Sequence, residues 1–284
     1  MKKIEFSKLN GQGNDFIIID SFTADVDLSP QQIMSMCDRH FGIGADGLIL
    51  VKKSSNSDFF MDFYNQDSSR AEMCGNGIRC MSKFIYDKKL SKRNKFGIET
   101  LAGEKTIELD ISNGTVGNIK VDMGPPTFKP DEIPVDLRGE EIFDHKLFTR
   151  ERDFYINCVS MGNPHCIIYL DKNDELDKIP LDIWGPLLEK HPLFPNKINV
   201  EFVKVAGKNE LEMRVWERGV GETLACGTGA CAAGVSAFKL KKISGSRVRV
   251  KVPGGVLNII WEGDSSNVFL EGEAEHSFDG VYFA

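Results

Sequence analysis

Hydrophobic residues recur along the chain in short runs bounded by glycine, proline and polar residues, a pattern typical of β-strands. The runs from Phe16 to Asp20 and from Leu48 to Val51 are examples, since both are rich in aliphatic side chains. The pattern indicates a strand-rich protein. We predict strands at residues 4–10, 16–20, 48–51, 59–65, 97–100, 105–111, 118–123, 157–161, 166–171, 198–205 and 211–216.

Helical patterns are confined to a few segments. Ser29 followed by Pro30 predicts a helix start, because serine caps a first turn in which the missing N–H of proline costs nothing. We expect this helix to end at Phe41 and Gly42. Its predicted buried stripe consists of Ile33, Met34, Met36 and Cys37.

Two other helices are apolar nearly all round, one after residue 77 and one over residues 229–241. A half-exposed helix needs only one apolar stripe, so each of these is expected to be wrapped by strands. A short helix is predicted at residues 181–190, before Pro192.

Two stretches of the chain are similar to each other. Each contains a Cys-Gly-x-Gly turn, at Cys74 and at Cys226, which lie 226 − 74 = 152 positions apart. The same offset persists for about fifty residues, which indicates an internal duplication. Pairs at this offset include Met61 and Met213, Gly103 and Gly255, and Ile107 and Ile259.

The duplication predicts the domain organisation. Prolines near residue 125 favour extended chain and suggest a junction between domains. We predict an α+β protein of two pseudo-symmetric domains, 1–123 plus 275–284 and 124–274. Each is expected to be a mainly antiparallel, barrel-like shell of strands around one central helix. The last ten residues have no counterpart in the first half, and we expect them to pair with the first domain.

Composition narrows the class of protein. At 284 residues, the chain is long enough for two domains. A net charge of −7 argues against a nucleic-acid partner, and no apolar run approaches the ~20 residues needed to cross a membrane. Seven cysteines, an odd number without a secretory signal at the start, indicate reduced thiols and a cytoplasmic location.

The two cysteine turns suggest acid/base chemistry. A cysteine at a helix N-terminus is favoured as thiolate, so we expect both thiols to have a pKa lowered from ~8.5 towards neutrality. The neighbouring glycine amides can bind a carboxylate. Two thiols aimed at opposite faces of one carbon would invert a stereocentre, as in a two-base racemase or epimerase.

Other interpretations of the cysteines are weaker. Zinc knuckles place two residues between ligands, and the spacings from Cys74 to Cys80 and from Cys226 to Cys231 do not match that. A phosphate loop would end in Gly-Lys-Ser or Gly-Lys-Thr. A carboxylate-binding module with redox-sensing cysteines remains open. Five cysteines in apolar runs are expected in the core, namely Cys37, Cys80, Cys158, Cys166 and Cys231.

The chain resembles the diaminopimelate epimerase family from residue 4 to its end. The motifs that carry the resemblance are residues 11–16, 39–47, 64–65, 74–80, 161–165, 196–199, 216–219 and 222–230. One departure is visible, since some members of the family have glutamine where this chain has Gly47.

The resemblance implies an epimerase that interconverts LL- and meso-diaminopimelate in lysine and peptidoglycan precursor biosynthesis, without cofactor or metal, as a homodimer. It implies that Cys74 and Cys226 are the acid/base pair and that His165 supports them. A related racemase of another amino acid, such as histidine, is the alternative. The implied substrate-binding residues are Asn14, Asn65, Gly75, Asn76, Asn163, Asn199, Glu217, Arg218, Gly227 and Thr228.

Overall fold

The computed structural model describes residues 3–264 and 266–283. The chain forms two compact units, one of Met1–Asp122 with Glu271–Ala284 and the other of Met123–Leu270. It is an α+β protein, as the sequence predicts. It stays a prediction that the two domains, 1–123 plus 275–284 and 124–274, each supply one half of a shared site, with Cys74 in the first and Cys226 in the second.

The elements follow one another as strands interrupted by four α-helices in the described part of the chain. In order they are β1 (Lys3–Gly11), β2 (Asn14–Asp20), α1 (Pro30–Cys37), β3 (Gly47–Lys52), β4 (Phe59–Asn65), α2 (Gly75–Asp87), β5 (Lys95–Thr100), β6 (Gly103–Ser112), β7 (Thr115–Gly124), β8 (His145–Leu147), β9 (Phe154–Ser160), β10 (Pro164–Tyr169), α3 (Leu181–Glu189), β11 (Asn199–Gly207), β12 (Glu210–Glu217), β13 (Gly221–Thr223), α4 (Gly227–Lys239), β14 (Arg247–Val252), β15 (Gly255–Ile260), β16 (Val268–Gly272) and β17 (Glu275–Phe283).

In the first unit, β1 pairs antiparallel with both β2 and β17. The β17 pairing confirms that the C-terminal strand returns to the first domain. Strand β2 is parallel to β3, and antiparallel pairs join β3 to β4, β5 to β6 and β6 to β7. Helix α2 packs on β1, β2 and β3, and residues 75–82 of α2 are all buried.

The second unit repeats this arrangement. Strand β10 is antiparallel to β9 and parallel to β11, and β11 is antiparallel to β12. Strands β14 and β15, which the sequence analysis did not assign, form a further antiparallel pair beside β12. Helix α4 contacts β9, β10, β11, β12, β14 and β15. Its wide apolar surface is therefore covered by strands, as predicted.

Helix α1 begins as predicted and ends earlier. Ser29 accepts a hydrogen bond from the Gln32 amide at 3.3 Å and donates its own amide to the Gln32 side chain at 2.9 Å. The prediction that the helix continues to Gly42 is wrong, because the Asp38 carboxylate accepts the amides of the next residues and ends the helix at Cys37. The predicted burial of Met34 is also wrong, since it is 41% exposed.

Among the described residues, no helix is long and apolar enough to cross a membrane.

Candidate active site

Cys74 and Cys226 are the N-cap residues of the two buried helices α2 and α4. Both have extended backbone angles, with φ of −136° and −118°. Each sulfur accepts a hydrogen bond from the amide three residues later, Gly77 or Gly229, at 3.4 Å. The duplicated sequence therefore gives the same local geometry twice. Helix α4 begins at Gly227, two residues before its predicted start.

In the first unit, Asn14 and Asn76 lie against Cys74. The Cys74 thiol is 3.6 Å from the Asn14 side-chain oxygen, which also accepts from the Asn76 amide at 3.4 Å. Asn14 is oriented from its other end, because its amide group donates to Asp46 at 2.5 Å. Three of the predicted residues thus share one hydrogen-bonded group.

Arg79 lies beneath this group. It is fully buried on helix α2, and it donates to the Gly75 carbonyl and to the Asn76 side-chain oxygen, each at 2.8 Å. It also donates to the Gln12 side chain on the β1–β2 turn. The Arg79 guanidinium therefore links the first turn of helix α2 to the loop between β1 and β2.

Asn65 does not contact Cys74 through any described hydrogen bond. It lies at the end of β4, is exposed, and donates to the Ser69 hydroxyl at 3.0 Å. Gly47 pairs with Asn65 across the strands, and a Cβ at this position would lie 2.6 Å from the Phe63 ring. The packing around Gly47 therefore leaves no space for a side chain at this position.

In the second unit, a continuous series of side chains ends at Cys226. The Cys226 sulfur is 3.5 Å from the Thr228 hydroxyl, which accepts from the Asn163 amide at 3.2 Å. The Asn163 oxygen is 2.9 Å from His165 Nε2, and His165 Nδ1 is 2.7 Å from Glu201. His165 thus contacts Asn163 directly, and its supporting role in the site stays a prediction.

Glu217 is the last residue of β12, Arg218 lies in the turn that follows it, and Asn199 is the first residue of β11. The Glu217 carboxylate accepts from Thr223, and the Asn199 oxygen accepts the Arg218 amide at 2.9 Å. Buried Glu189 supports the same turn by accepting from Trp216 Nε1 at 2.9 Å and from the Gly219 amide at 3.0 Å. The turn is therefore built to hold the Arg218 backbone in one position.

The predicted lowering of the Cys226 pKa is wrong. Burial raises the pKa of this thiol well above its ordinary value, and the carboxylates of Glu217 and Glu201 raise it further. The hydrogen bonds from Thr228 and the Gly229 amide act in the opposite direction and are outweighed. Burial also raises the pKa of Glu217. The prediction took account of the helix N-terminus but not of the burial of this thiol, which is only 6% exposed.

The family model for diaminopimelate epimerase matches residues 6–129 and 157–277. The chain belongs to the diaminopimelate epimerase family. A diaminopimelate epimerase of Leptospira biflexa is 46% identical over 280 residues, covering 98% of both chains. One of Methanococcus maripaludis is 47% identical over 278 residues, covering 98% of this chain and 99% of the relative. The resemblance predicted from the motifs is confirmed.

Solved structures share the fold at low sequence identity. A phenazine biosynthesis protein of the PhzF family from Bacillus anthracis has a TM-score of 0.72 with 18% identity, and covers 100% of both chains. A hydroxyproline epimerase from Agrobacterium vitis has a TM-score of 0.69 with 10% identity, covering 98% of this chain and 92% of its own. These likenesses confirm the predicted fold class.

Within this member of the diaminopimelate epimerase family, three buried charged residues that were not predicted as site residues lie beside the predicted ones. They are Arg79, Glu189 and Glu201, with exposures of 0%, 3% and 0%. A signal existed for two of them. Arg79 interrupts a helix predicted to be apolar all round, and Glu201 interrupts the apolar run of β11. A charged residue in a buried run is almost always paired.

Proposed function

We propose that the chain is an epimerase that interconverts LL- and meso-diaminopimelate by a two-cysteine mechanism, independent of pyridoxal phosphate. The observation that carries this proposal is the pair of cysteine N-caps, Cys74 and Cys226, at the ends of two equivalent buried helices. The named relatives, about 46% identical over nearly the whole chain, support the choice of substrate.

The chemistry needs one thiolate and one thiol. The thiolate removes the α-proton of the substrate and becomes a thiol, while the other thiol delivers its proton to the opposite face of the same carbon. The C–H bond that breaks is replaced by a new C–H bond, so the stereocentre inverts and the two cysteines exchange protonation states. The raised pKa of Cys226 keeps that thiol protonated at neutral pH and suits it to act first as the acid. The mechanism requires that both sulfurs reach one carbon.

Negative charge develops on the α-carboxylate as the proton leaves. Backbone amides at the two helix N-termini, at residues 75–77 and 227–229, are suited to offset it. The remaining polar groups bind the rest of the substrate. Glu217 is assigned to the ammonium group of the reacting carbon, and Arg218 to the distant carboxylate, for which a guanidinium fork is well shaped. Asn14, Asn65, Asn163 and Asn199 are assigned to the substrate amines and carboxylates.

The proposal is tested by isotope exchange. The reduced protein, freed of pyridoxal phosphate, is incubated with LL-diaminopimelate in deuterated water, and the α-deuterium content and the meso product are followed by mass spectrometry and chiral chromatography. We expect deuterium to enter together with formation of the meso isomer. Absence of exchange under reducing conditions would overturn the proposal, and exchange with L-histidine in its place would favour the related racemase.

We further propose a homodimer in the cytoplasm. Three large apolar side chains of β17 are exposed: Phe278, Val281 and Phe283 have exposed fractions of 47%, 46% and 56%. We assign this apolar surface to contact with a second copy of the chain. No disulfide joins any of the seven cysteines, all of which lie in the described ranges 3–264 and 266–283, and a thiol-dependent enzyme is suited to the reducing conditions of the cytoplasm. Light scattering of the chain and of its Val281→Glu variant tests the dimer, since the variant should be monomeric.

A further inference from the structure

Glu201 and His165 form a buried polar pair in the second unit. Both side chains are 0% exposed, and His165 Nδ1 lies 2.7 Å from Glu201 Oε1. Within residues 3–264 and 266–283, the other carboxylate oxygen of Glu201 has no hydrogen-bond partner. A buried carboxylate with one oxygen unpaired is costly, so its retention in a well-packed interior requires an explanation.

The contacts of His165 fix where protons must be. One ring nitrogen faces Glu201 and the other faces the Asn163 side-chain oxygen at 2.9 Å. Both contacts can be hydrogen bonds only if each contains a proton. The Asn163 amide then points at Thr228, which leaves the Thr228 hydroxyl proton free to point at the Cys226 sulfur 3.5 Å away.

Glu201 also contacts the start of helix α4. A Cβ on Gly229 would lie only 2.6 Å from Glu201 Oε1, so the carboxylate approaches the first helical turn more closely than any side chain at residue 229 would permit. This is the turn whose amide bonds the Cys226 sulfur. Glu201 therefore contacts His165 at one end of the series and lies beside Gly229, whose amide bonds the thiol at the other end.

The first unit shows that the fold does not need this pair. Strand β3 aligns with β11 at the offset of 152, which places Ile49 where Glu201 lies, and Ile49 contacts Gly77 as Glu201 contacts Gly229. Phe16 pairs with Gly47 in the same register in which His165 pairs with Asn199. Phe16 and Ile49 are 1% and 0% exposed. Equivalent buried positions are therefore filled by apolar side chains in the first unit and by polar side chains in the second.

We propose that Glu201 is a positioning residue for proton transfer at Cys226, acting through His165, Asn163 and Thr228. The carboxylate keeps a proton in its contact with His165, His165 fixes the Asn163 amide, and Asn163 directs the Thr228 hydroxyl to the sulfur. The proposal rests on the proposed epimerase function. It adds a residue that makes no contact with substrate in that function.

The first test compares Glu201→Gln with Glu212→Gln. Glu212 lies on the neighbouring strand β12, where it pairs with Lys251 at 3.1 Å, so the control makes the same chemical change on a partly exposed side chain. With rates normalised to the folded fraction, we expect Glu201→Gln to lower kcat about 10-fold, which is less than the roughly 10²–10⁴-fold typical of a group that itself transfers the proton, and the control to change it less than about 2-fold. Equal rates for the two variants would overturn the proposal.

The second test is a double-mutant cycle with Thr228→Val, which removes the hydroxyl and keeps the backbone amide. If Glu201 acts through Thr228, Glu201→Gln should lower kcat by less than about 2-fold in the Thr228→Val background, because coupled residues are not additive. A further 10-fold loss there would show that Glu201 acts by another route and would refute the proposal.

The third test combines His165→Phe with Glu201→Ile. This double variant has, at these two positions, the same residue types as the equivalent positions Phe16 and Ile49 of the first unit. A buried ionic pair is often replaced by apolar side chains without loss of stability, so we expect the unfolding midpoint to be retained and the turnover to fall about 10-fold or more. Retained turnover would contradict the proposal. If the double variant does not fold, Glu201→Gln and the cycle decide alone.

A spectroscopic test is independent of turnover. Nitrogen-15 spectra of the histidine side chains should show that both ring nitrogens of His165 take part in hydrogen bonds. The proton shared between His165 Nδ1 and Glu201 should give a resonance far downfield of the amide protons. Glu201→Gln should remove this resonance, whereas Glu212→Gln should keep it. A resonance that survives in Glu201→Gln would overturn the proposal, while an inactive wild-type protein with the expected spectrum would refute only the proposed function.

Discussion

The two halves of this chain hold the same backbone geometry with opposite buried charges. At the first cysteine, the fully buried guanidinium of Arg79 donates to Gly75 and Asn76 and lies next to the thiol's own helix turn. At the second, the buried carboxylate of Glu201 lies beside Gly229, the counterpart of Gly77. The cysteine sulfurs nevertheless accept equivalent amides at the same 3.4 Å.

The two halves share the backbone path around the cysteine, and they differ in the side chains that surround the thiol. The strand–turn–helix path needs only glycine in the turn and apolar residues around the helix, and both halves keep these. The side chains around each thiol are free to differ, and they do. Cys74 is half-buried, whereas Cys226 is 6% exposed and lies near two carboxylates. In the proposed reaction, which uses one thiol and one thiolate, this asymmetry favours Cys226 as the protonated partner before substrate binds.

The largest expected effect is the loss of either thiol. Cys74→Ala and Cys226→Ala should each lower the rate of epimerisation by about 10³-fold or more, because each removes one of two proton-transferring groups. The rate is measured from meso-diaminopimelate formation, with Cys231→Ala as the control, since Cys231 is buried in helix α4 and away from its N-cap. Full activity in either single variant would exclude a two-cysteine mechanism.

The second effect concerns the reactivity of the two thiols. Iodoacetamide attacks the thiolate, and a raised pKa keeps Cys226 protonated, so at neutral pH Cys74 should be alkylated at least ~10-fold faster. The Cys226 rate should rise with pH and continue to rise above the ordinary pKa of a thiol. Peptide mapping measures both rates in one sample.

The control for this comparison is the protein unfolded in urea, where both cysteines should react at the same rate. Faster alkylation of Cys226 than of Cys74 in the folded protein at neutral pH would show that the helix N-terminus outweighs burial at this thiol.

Much of the scaffold could be predicted from local chemistry. The strand at 59–65 and the Ser29 cap follow from side-chain pattern and capping preference, and the structure has both where they are predicted. The core location of the five other cysteines is also confirmed. The end of α1 could not be predicted, because it depends on an Asp38 turn that competes with a helix pattern continuing for several residues.

The supporting residues of the site were harder to predict, because burial is a property of the tertiary fold. The helix dipole at Cys226 is a local feature and was foreseen, but the strands that bury this thiol come from distant parts of the chain. Glu201 was visible only as a charge inside an apolar run, and no spacing along the sequence links it to His165, 36 positions earlier. Such pairs become predictable once the register of β10 and β11 is known.

The third prediction tests the buried cation of the first half. Arg79→Met removes a fully buried charged donor from its hydrogen bonds to Gln12, Gly75 and Asn76, which should destabilise the protein by about 3 kcal/mol or more. Urea denaturation measures the loss. Arg93→Met is the control, since Arg93 is 61% exposed in its ion pair with Asp58 and should contribute less than about 1 kcal/mol. Equal losses in the two variants would mean that Arg79 does not hold the first turn of α2.

The smallest expected effect is a direct comparison of the two helix turns. The Gly229→Ala variant would place its Cβ 2.6 Å from Glu201 Oε1, which is held 2.7 Å from His165 Nδ1. In Gly77→Ala, the Cβ would lie 3.1 and 3.2 Å from the flexible ends of Met61 and Ile49 and 3.4 Å from the Cys74 Cβ. Gly77→Ala should therefore change stability by less than about 1 kcal/mol, because reduced backbone entropy offsets the crowding. Gly229→Ala should cost about 1–3 kcal/mol by urea denaturation, as overpacking does. If Gly229→Ala were as mild as Gly77→Ala, the Glu201 carboxylate would be free to move and could not hold the series of side chains that ends at Cys226.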